Sequence, residues 1–152
     1  MRHFLVRHGE AKAAFEDPAC PLNERGAEAV RRMAAWAALA GVEVTQIRHS
    51  GKRRAEQTAA LLAERLNPPA GVVVTLGLKP DDEVRPVAEA LRSEPAPVMV
   101  VSHLPFLGRL ADQLLEGSAC GRGIRFQTAE IVCLSTLEGK WWVDWVMAPD
   151  SL

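Results

Sequence analysis

The stretch "PVMVVSHLPFLGRLADQL", residues 97–114, decides the fold class. From Val98 to Val101 every residue is apolar, and three of the four are β-branched valines. That reads as a short strand buried in a sheet. Leu104, Leu107, Leu110, Ala111 and Leu114 then return at the spacing of one helix face, with Gly117 as the stop. Ser102 and His103 fall at the switch from one period to the other. A buried strand that passes directly into an amphipathic helix is the unit of an α/β sheet.

The same unit recurs on either side. His3–Val6 reads as a short buried strand. Residues 11–24 contain Pro18, Pro21 and Asn23 and read as a loop. A helix begins at Arg25, with Val30, Met33, Ala34, Ala37 and Ala38 on one face and Gly41 as its stop. Val44–Arg48 is a second strand. A second helix carries Ala55, Ala59, Leu62, Ala63 and Leu66 and closes at Asn67-Pro68-Pro69. Val72–Leu76 is strand-like, and residues 81–94 form a short helix whose start Pro86 restricts. Gly117–Gly123 is a glycine-rich loop. Glu130–Leu137 and Lys140–Val146 are two closing strands turned around Glu138-Gly139. The expected fold is a three-layer α/β/α sandwich, a mostly parallel sheet with helices on both faces, in one domain over residues 1–152.

Bulk properties narrow the function. The net charge is -1, with 48% hydrophobic and 24% charged residues. No global positive field exists to hold nucleic acid or an anionic membrane, so any anion site is local. No apolar run is long enough to span a bilayer. The opening residues lack a signal-peptide pattern, because Arg7 and Glu10 interrupt the apolar stretch. Cys20, Cys120 and Cys133 are odd in number and widely spaced, which fits free thiols in a reducing cytoplasm.

In open α/β sheets, ligands bind beyond the carboxyl ends of the strands. Here the first strand ends at Arg7-His8 and the second at His49-Ser50. The second then opens a helix with "GKRRAEQT", residues 51–58. The buried strand ends at Ser102-His103. Each switch delivers a cation, an imidazole or a hydroxyl, beside helix N-termini that themselves favour anions. Arginine forks match phosphate oxygens bidentately. The set reads as a pocket for a tetrahedral oxyanion, most simply a phosphoryl group.

Four segments, "LVRHGEA" (5–11), "PLNERG" (21–26), "SGKRRAEQTA" (50–59) and "VVSHLPFLGRL" (100–110), resemble the histidine phosphatase superfamily, which includes the phosphoglycerate mutase-like enzymes. The short chain, "SHLPFLG" and the ending "WWVDWVMAPD" resemble its SixA-like phosphohistidine phosphatase branch. The resemblance implies that His8 is the nucleophile and that Arg7 and Arg54 clamp the phosphate, with His103 as the second histidine of the pocket. Ser50 and Ser102 are candidates for supporting hydrogen bonds. Gly9 allows close backbone approach. Two departures stand out. Gly51 occupies a place where the family often has proline, and "EAKAAFEDP" lacks the asparagine-containing extension of the larger mutases.

The resemblance implies a metal-independent enzyme with no cofactor, passing phosphate through His8. The substrate turns on the leaving group. An alkoxide needs an acid, for which Asp81, Asp82 and Glu83 are the candidates. They equally suit a helix start, where carboxylates complement the dipole. A phosphoimidazole needs no strong acid. The expected partner is therefore a phosphohistidine-bearing phosphorelay or phosphocarrier protein. A small phosphorylated metabolite, or a non-catalytic phosphoprotein-binding module, is the alternative. Lys52 and Arg53 read as solvated charges, and His3 and His49 as packing or pocket rim. Trp141, Trp142 and Trp145 read as packing of the last strand. The histidines lack zinc-ligand spacing.

Overall fold

The computed structural model describes residues 1–116 and 123–152. The expected stop at Gly117, the loop Gly117–Gly123 and Cys120 therefore lie largely or wholly outside the described residues. At the centre of the sheet, β1 (Arg2–Arg7) pairs in parallel with β4 (Val98–Ser102). On the far side of β4 lie β2 (Gln46–His49) and then β3 (Val72–Val74), both parallel to it. On the far side of β1 lie β5 (Ile131–Leu137) and β6 (Lys140–Met147), both antiparallel. The order is β3-β2-β4-β1-β5-β6. The last two strands form a hairpin whose two-residue turn, Glu138-Gly139, holds both residues at positive φ, 52° and 79°. That geometry matches the twist of the flanking strands.

The central strands run apolar without interruption, at Phe4–Val6 in β1 and Val98–Val101 in β4, because both their faces are covered. Along β1, Phe4 and Val6 join one core cluster and Leu5 the other. In β4, Met99 and Val101 face the first cluster, Val98 and Val100 the second. The first cluster holds α1 (Glu24–Leu39) and α2 (Arg53–Leu66), and the second holds α3 (Arg85–Arg92) and α4 (Phe106–Leu114). This is the expected α/β/α sandwich. Trp145 packs against Phe4 and Trp36, and Trp141 stacks on His3, whereas Trp142 is largely exposed.

The helix ends follow local chemistry. Asn23 Oδ1 accepts from Gly26 N–H at 2.7 Å and caps α1. Gly41, at φ 78°, ends it. Asn67, at φ 47°, ends α2 ahead of Pro68. α3 is shorter than the expected 81–94, since it starts at Arg85 with Pro86 in its first turn. The acidic run before it is no helix start, for α3 has no acid in its first turn and no side-chain cap. Asp82 instead closes a turn, its carboxylate accepting from Lys79 N–H at 2.8 Å.

α1 meets the chain just beyond β1 with almost no clearance. A Cβ on Gly26 would fall inside the van der Waals shell of the Glu10 carbonyl, and one on Gly9 would stand 2.8 Å from Val30 Cγ2. Gly26→Ala is therefore expected to destabilise the fold by about 3 kcal/mol, at the upper end of overpacking costs. A urea midpoint unchanged from the parent protein would contradict this.

Candidate active site

β1 ends with Arg7, and His8 continues its ladder. His8 N–H donates to the Ser102 carbonyl at 3.0 Å, so the two histidines that follow β1 and β4 emerge side by side. Their rings lie 5.0 Å apart, centroid to centroid, tilted by 51°. β2 ends at His49, and α2 begins at Arg53. Arg54, in the first turn of α2, places Nε 3.3 Å from His8 Nε2. Arg7 donates through Nη1 to the Phe126 carbonyl at 2.9 Å. The structure thus gathers Arg7, His8, Arg54 and His103 around one cup at the carboxyl edge of the sheet, where open α/β sheets bind ligands.

The tautomer of His8 follows from its neighbour. Nδ1 lies 2.7 Å from the Gly9 carbonyl, which can only accept. Nδ1 therefore carries the proton, and the lone pair is on Nε2, facing Arg54. Burial lowers the His8 pKa to about 4; the Gly9 hydrogen bond opposes the shift, and the Arg54 and Arg7 charges add to it. His103 is lowered to about 3 by burial, then by His8, Arg54, Lys52 and Arg7. Both rings are neutral near pH 7. Burial also lowers the Arg7 pKa, opposed by the nearby Glu130 carboxylate, whose own pKa burial raises.

The supporting residues sort themselves. Ser50 Oγ lies 2.6 Å from His103 Nε2 and also accepts from Lys52 N–H, so it orients the second imidazole. Ser102 is fully buried, and its hydroxyl donates to the Leu78 carbonyl. It thereby holds the loop after β3 rather than turning toward His8. Asp81, Asp82 and Glu83 lie in that same loop, and none has a hydrogen bond to His8, Arg54 or His103 among the described residues. His49 is buried and accepts from Gly51 N–H at 3.0 Å, and His3 accepts from Val98 N–H, so both serve packing. Gly51 sits at φ 91°, a conformation that proline at this place would not adopt.

Sequence reasoning missed Thr58. Its hydroxyl accepts from Gly9 N–H at 3.0 Å and donates to the Arg54 carbonyl at 2.8 Å. One buried oxygen thus joins the backbone beside the nucleophile candidate to the helix turn that carries the clamp candidate. The signal was present as a Thr four residues after Arg54, which brings it to the same face of α2. Arg7 Nε and His103 Nδ1 are buried without a hydrogen-bond partner in the protein. A separate cavity of about 580 Å³ opens beside Glu10, between Glu24, Arg25 and Thr128, and none of the four cup residues lines it. Among the described residues, no three His, Cys, Asp or Glu side chains gather as a metal site.

Comparisons with known proteins show the family and the fold. The model of the histidine phosphatase superfamily (branch 1) matches residues 3–79. The phosphohistidine phosphatase SixA of Escherichia coli strain K12 is 34% identical over an alignment that covers all of this chain and 96% of that protein. A structure of the protein histidine phosphatase SixA complexed with tungstate superposes with a TM-score of 0.89, at 32% identity and 99% coverage of both chains. A mycobacterial glucosyl-3-phosphoglycerate phosphatase shares the fold at a TM-score of 0.73 and 21% identity, with 95% of this chain and 97% of that one covered.

Two outcomes are expected. The His8 ring stays neutral until the pH falls toward about 4, well below the ordinary 6.5, when its carbon and nitrogen shifts are followed by NMR. The unfolded chain protonates this histidine first, so acid between those values favours unfolding. A His8 midpoint near 6.5 would refute the buried, cation-flanked environment. Thr58→Val, which keeps the shape and removes both hydrogen bonds, should lower kcat about tenfold or more while leaving the fold intact, measured by steady-state kinetics beside a melting curve.

Proposed function

The chain belongs to the histidine phosphatase superfamily, and from that premise we propose that it removes phosphate from phosphohistidine on a phosphorelay or phosphocarrier protein, with His8 as nucleophile. The observation that carries this reading is the cup itself: an unprotonated Nε2 flanked by two guanidinium groups and a second imidazole. Three buried side-chain polar atoms have no partner among the described residues: His3 Nε2 sits at the opposite end of β1, and the other two, Arg7 Nε and His103 Nδ1, belong to the cup. Orphaned buried polar groups are rare and costly, and oxygens of a bound phosphoryl group would satisfy the two in the cup.

His8 Nε2 would attack phosphorus in line. Its lone pair forms the new N–P bond, and the bond between phosphorus and the substrate imidazole breaks. The departing nitrogen keeps that electron pair, and protonation of the ring's other nitrogen from solvent lets it leave as neutral imidazole. Water then attacks the phosphohistidine, yields inorganic phosphate and restores His8. The Gly9 carbonyl holds Nδ1–H throughout, which fixes the ring and steadies the positive charge that develops on it. Arg7, Arg54 and His103 would meet the negative charge on the equatorial oxygens. His103 is in turn oriented by Ser50.

The phosphohistidine reading rests on the leaving group and on the SixA relatives. Asp82 already bonds to Lys79 N–H, and no acid is linked to the cup by a hydrogen bond among the described residues, which suits a leaving group that needs none. A phosphomonoesterase would require one of Asp81, Asp82 or Glu83 to reach the site. Residues 1–152 act as one domain on this reading. The free thiols of Cys20 and Cys133 support a reducing cytoplasm as its place.

His8→Ala should abolish turnover while vanadate still binds. Full activity in that variant would remove the mechanism. Arg54→Ala should cost about 10²–10³ in kcat, as loss of one preorganised donor does, and Arg54→Lys should restore little. Asp82→Asn should leave dephosphorylation of a phosphohistidine protein within about threefold, as expected of a side chain outside the chemistry. A collapse of that activity would favour the phosphomonoester alternative. Chelators should change nothing.

A further inference from the structure

Two apolar side chains, on loops that leave the carboxyl ends of β1 and β3, are covered by nothing in the described residues. Phe15 is 90% exposed and Leu76 94%. Single exposed apolar residues are ordinary. These two differ because each stands at the tip of a loop that is tied down beside the catalytic residues.

The first loop leaves the chain three residues after His8. The Ala11–Leu22 bridge and the Lys12 N–H to Pro21 carbonyl bond, 2.8 Å, close its base. Glu16 N–H and Asp17 N–H both donate to the Ala13 carbonyl and form the turn that presents Phe15. Leu22 N–H donates to Gln57 Oε1 at 2.8 Å, which fastens the loop to α2 one turn past Arg54. The second loop is pinned on both sides of Leu76. Thr75 N–H donates to the His49 carbonyl at 2.8 Å, while the Leu78 carbonyl receives the Ser102 hydroxyl and the Leu78 side chain is buried. Ordering a loop costs entropy, and here the result is a fixed apolar tip facing water.

The sheet order places the end of β3, from which Leu76 projects, three strand spacings from the end of β1, where the Phe15 loop begins. That is roughly 14 Å, with the ends of β2 and β4 between them. Both loops thus border the strand ends that supply Arg54, His103 and His8. An imidazole that meets His8 Nε2 brings its own backbone within one histidine side chain of the cup. The protein surface around it must then lie across these loops.

We infer that Phe15 and Leu76 are paired anchors for the surface that surrounds the phosphohistidine of a protein substrate. That partner is a folded protein with apolar contacts on two sides of its phosphorylated histidine. The inference rests on the phosphohistidine reading above. It also gives Ser102 a function, which is to hold one anchor in place from the end of β4.

The test compares two substrates: a histidine-phosphorylated phosphocarrier protein and free phosphoimidazole. Phe15→Ser and Leu76→Ser should each lower kcat/KM about tenfold on the protein through KM, and leave kcat/KM on phosphoimidazole unchanged. Phe15→Met should recover most of the loss. Leu39→Ser serves as the control. Leu39 is 87% exposed at the carboxyl end of α1, away from the cup, and its loss should change neither rate. Unchanged turnover of the protein in the double variant overturns the inference, as does an equal loss on phosphoimidazole or in the Leu39 control. Loss of a concentration-dependent dimer, with protein turnover intact, would assign the patch to a second copy and likewise overturn it. A parent enzyme active on small monoesters but inert on the phosphocarrier would instead overturn the phosphohistidine reading, and the docking surface with it.

Discussion

The parallel pairing of β1 with β4 is the constraint from which the site follows. Val6 pairs with Val101 and Arg7 with Ser102, and the ladder runs one residue further, through His8 N–H to the Ser102 carbonyl. That register puts His8 and His103 at the same height on neighbouring strands. A slip of one residue would turn His8 to the opposite face of the sheet. The slip is opposed by the alternation of Phe4, Leu5 and Val6 between two separate apolar clusters. Hydrophobic burial on both faces of the sheet thus sets the separation of two imidazoles.

The cup is then completed from β2 and α2, and the chain spends polar groups there that it could have left in water. Thr58 ties Gly9 to the Arg54 turn, Ser50 turns His103, and the Gly9 carbonyl selects the tautomer of His8. Each acts on a cup residue through a hydrogen bond. Together they keep a neutral imidazole beside two guanidinium groups. The arrangement holds because burial and cations both disfavour the imidazolium form, so the pKa of His8 falls to about 4 rather than rising. A carboxylate close to this ring would reverse that balance, and the acidic loop before α3 has its Asp82 bonded elsewhere.

The loops around the cup extend the same economy to the surface. Ser102 shows it best, since its backbone carbonyl places His8 while its hydroxyl holds Leu78 and with it the turn at Leu76. One residue at the end of the central strand thus links the position of His8 to the turn at Leu76.

Much of this was legible in the residues. Continuous apolar runs mark strands covered on both faces, a spacing of three and four marks the helices, and Asn23, Gly41 and Asn67 mark their ends, because these signals depend on a residue's own torsions and on burial of one stripe. The carboxyl ends of the strands pointed to Arg7, His8 and His103, and the resemblance to the histidine phosphatase superfamily singled out Arg54 from Lys52 and Arg53. The choice among possible hydrogen-bond partners was not legible. Ser102 turned to Leu78, Asp82 to Lys79, and Thr58 became a link between two segments 49 residues apart. Such a choice is made by groups brought together from distant parts of the chain, and only the packing of α2 against the sheet puts them within reach.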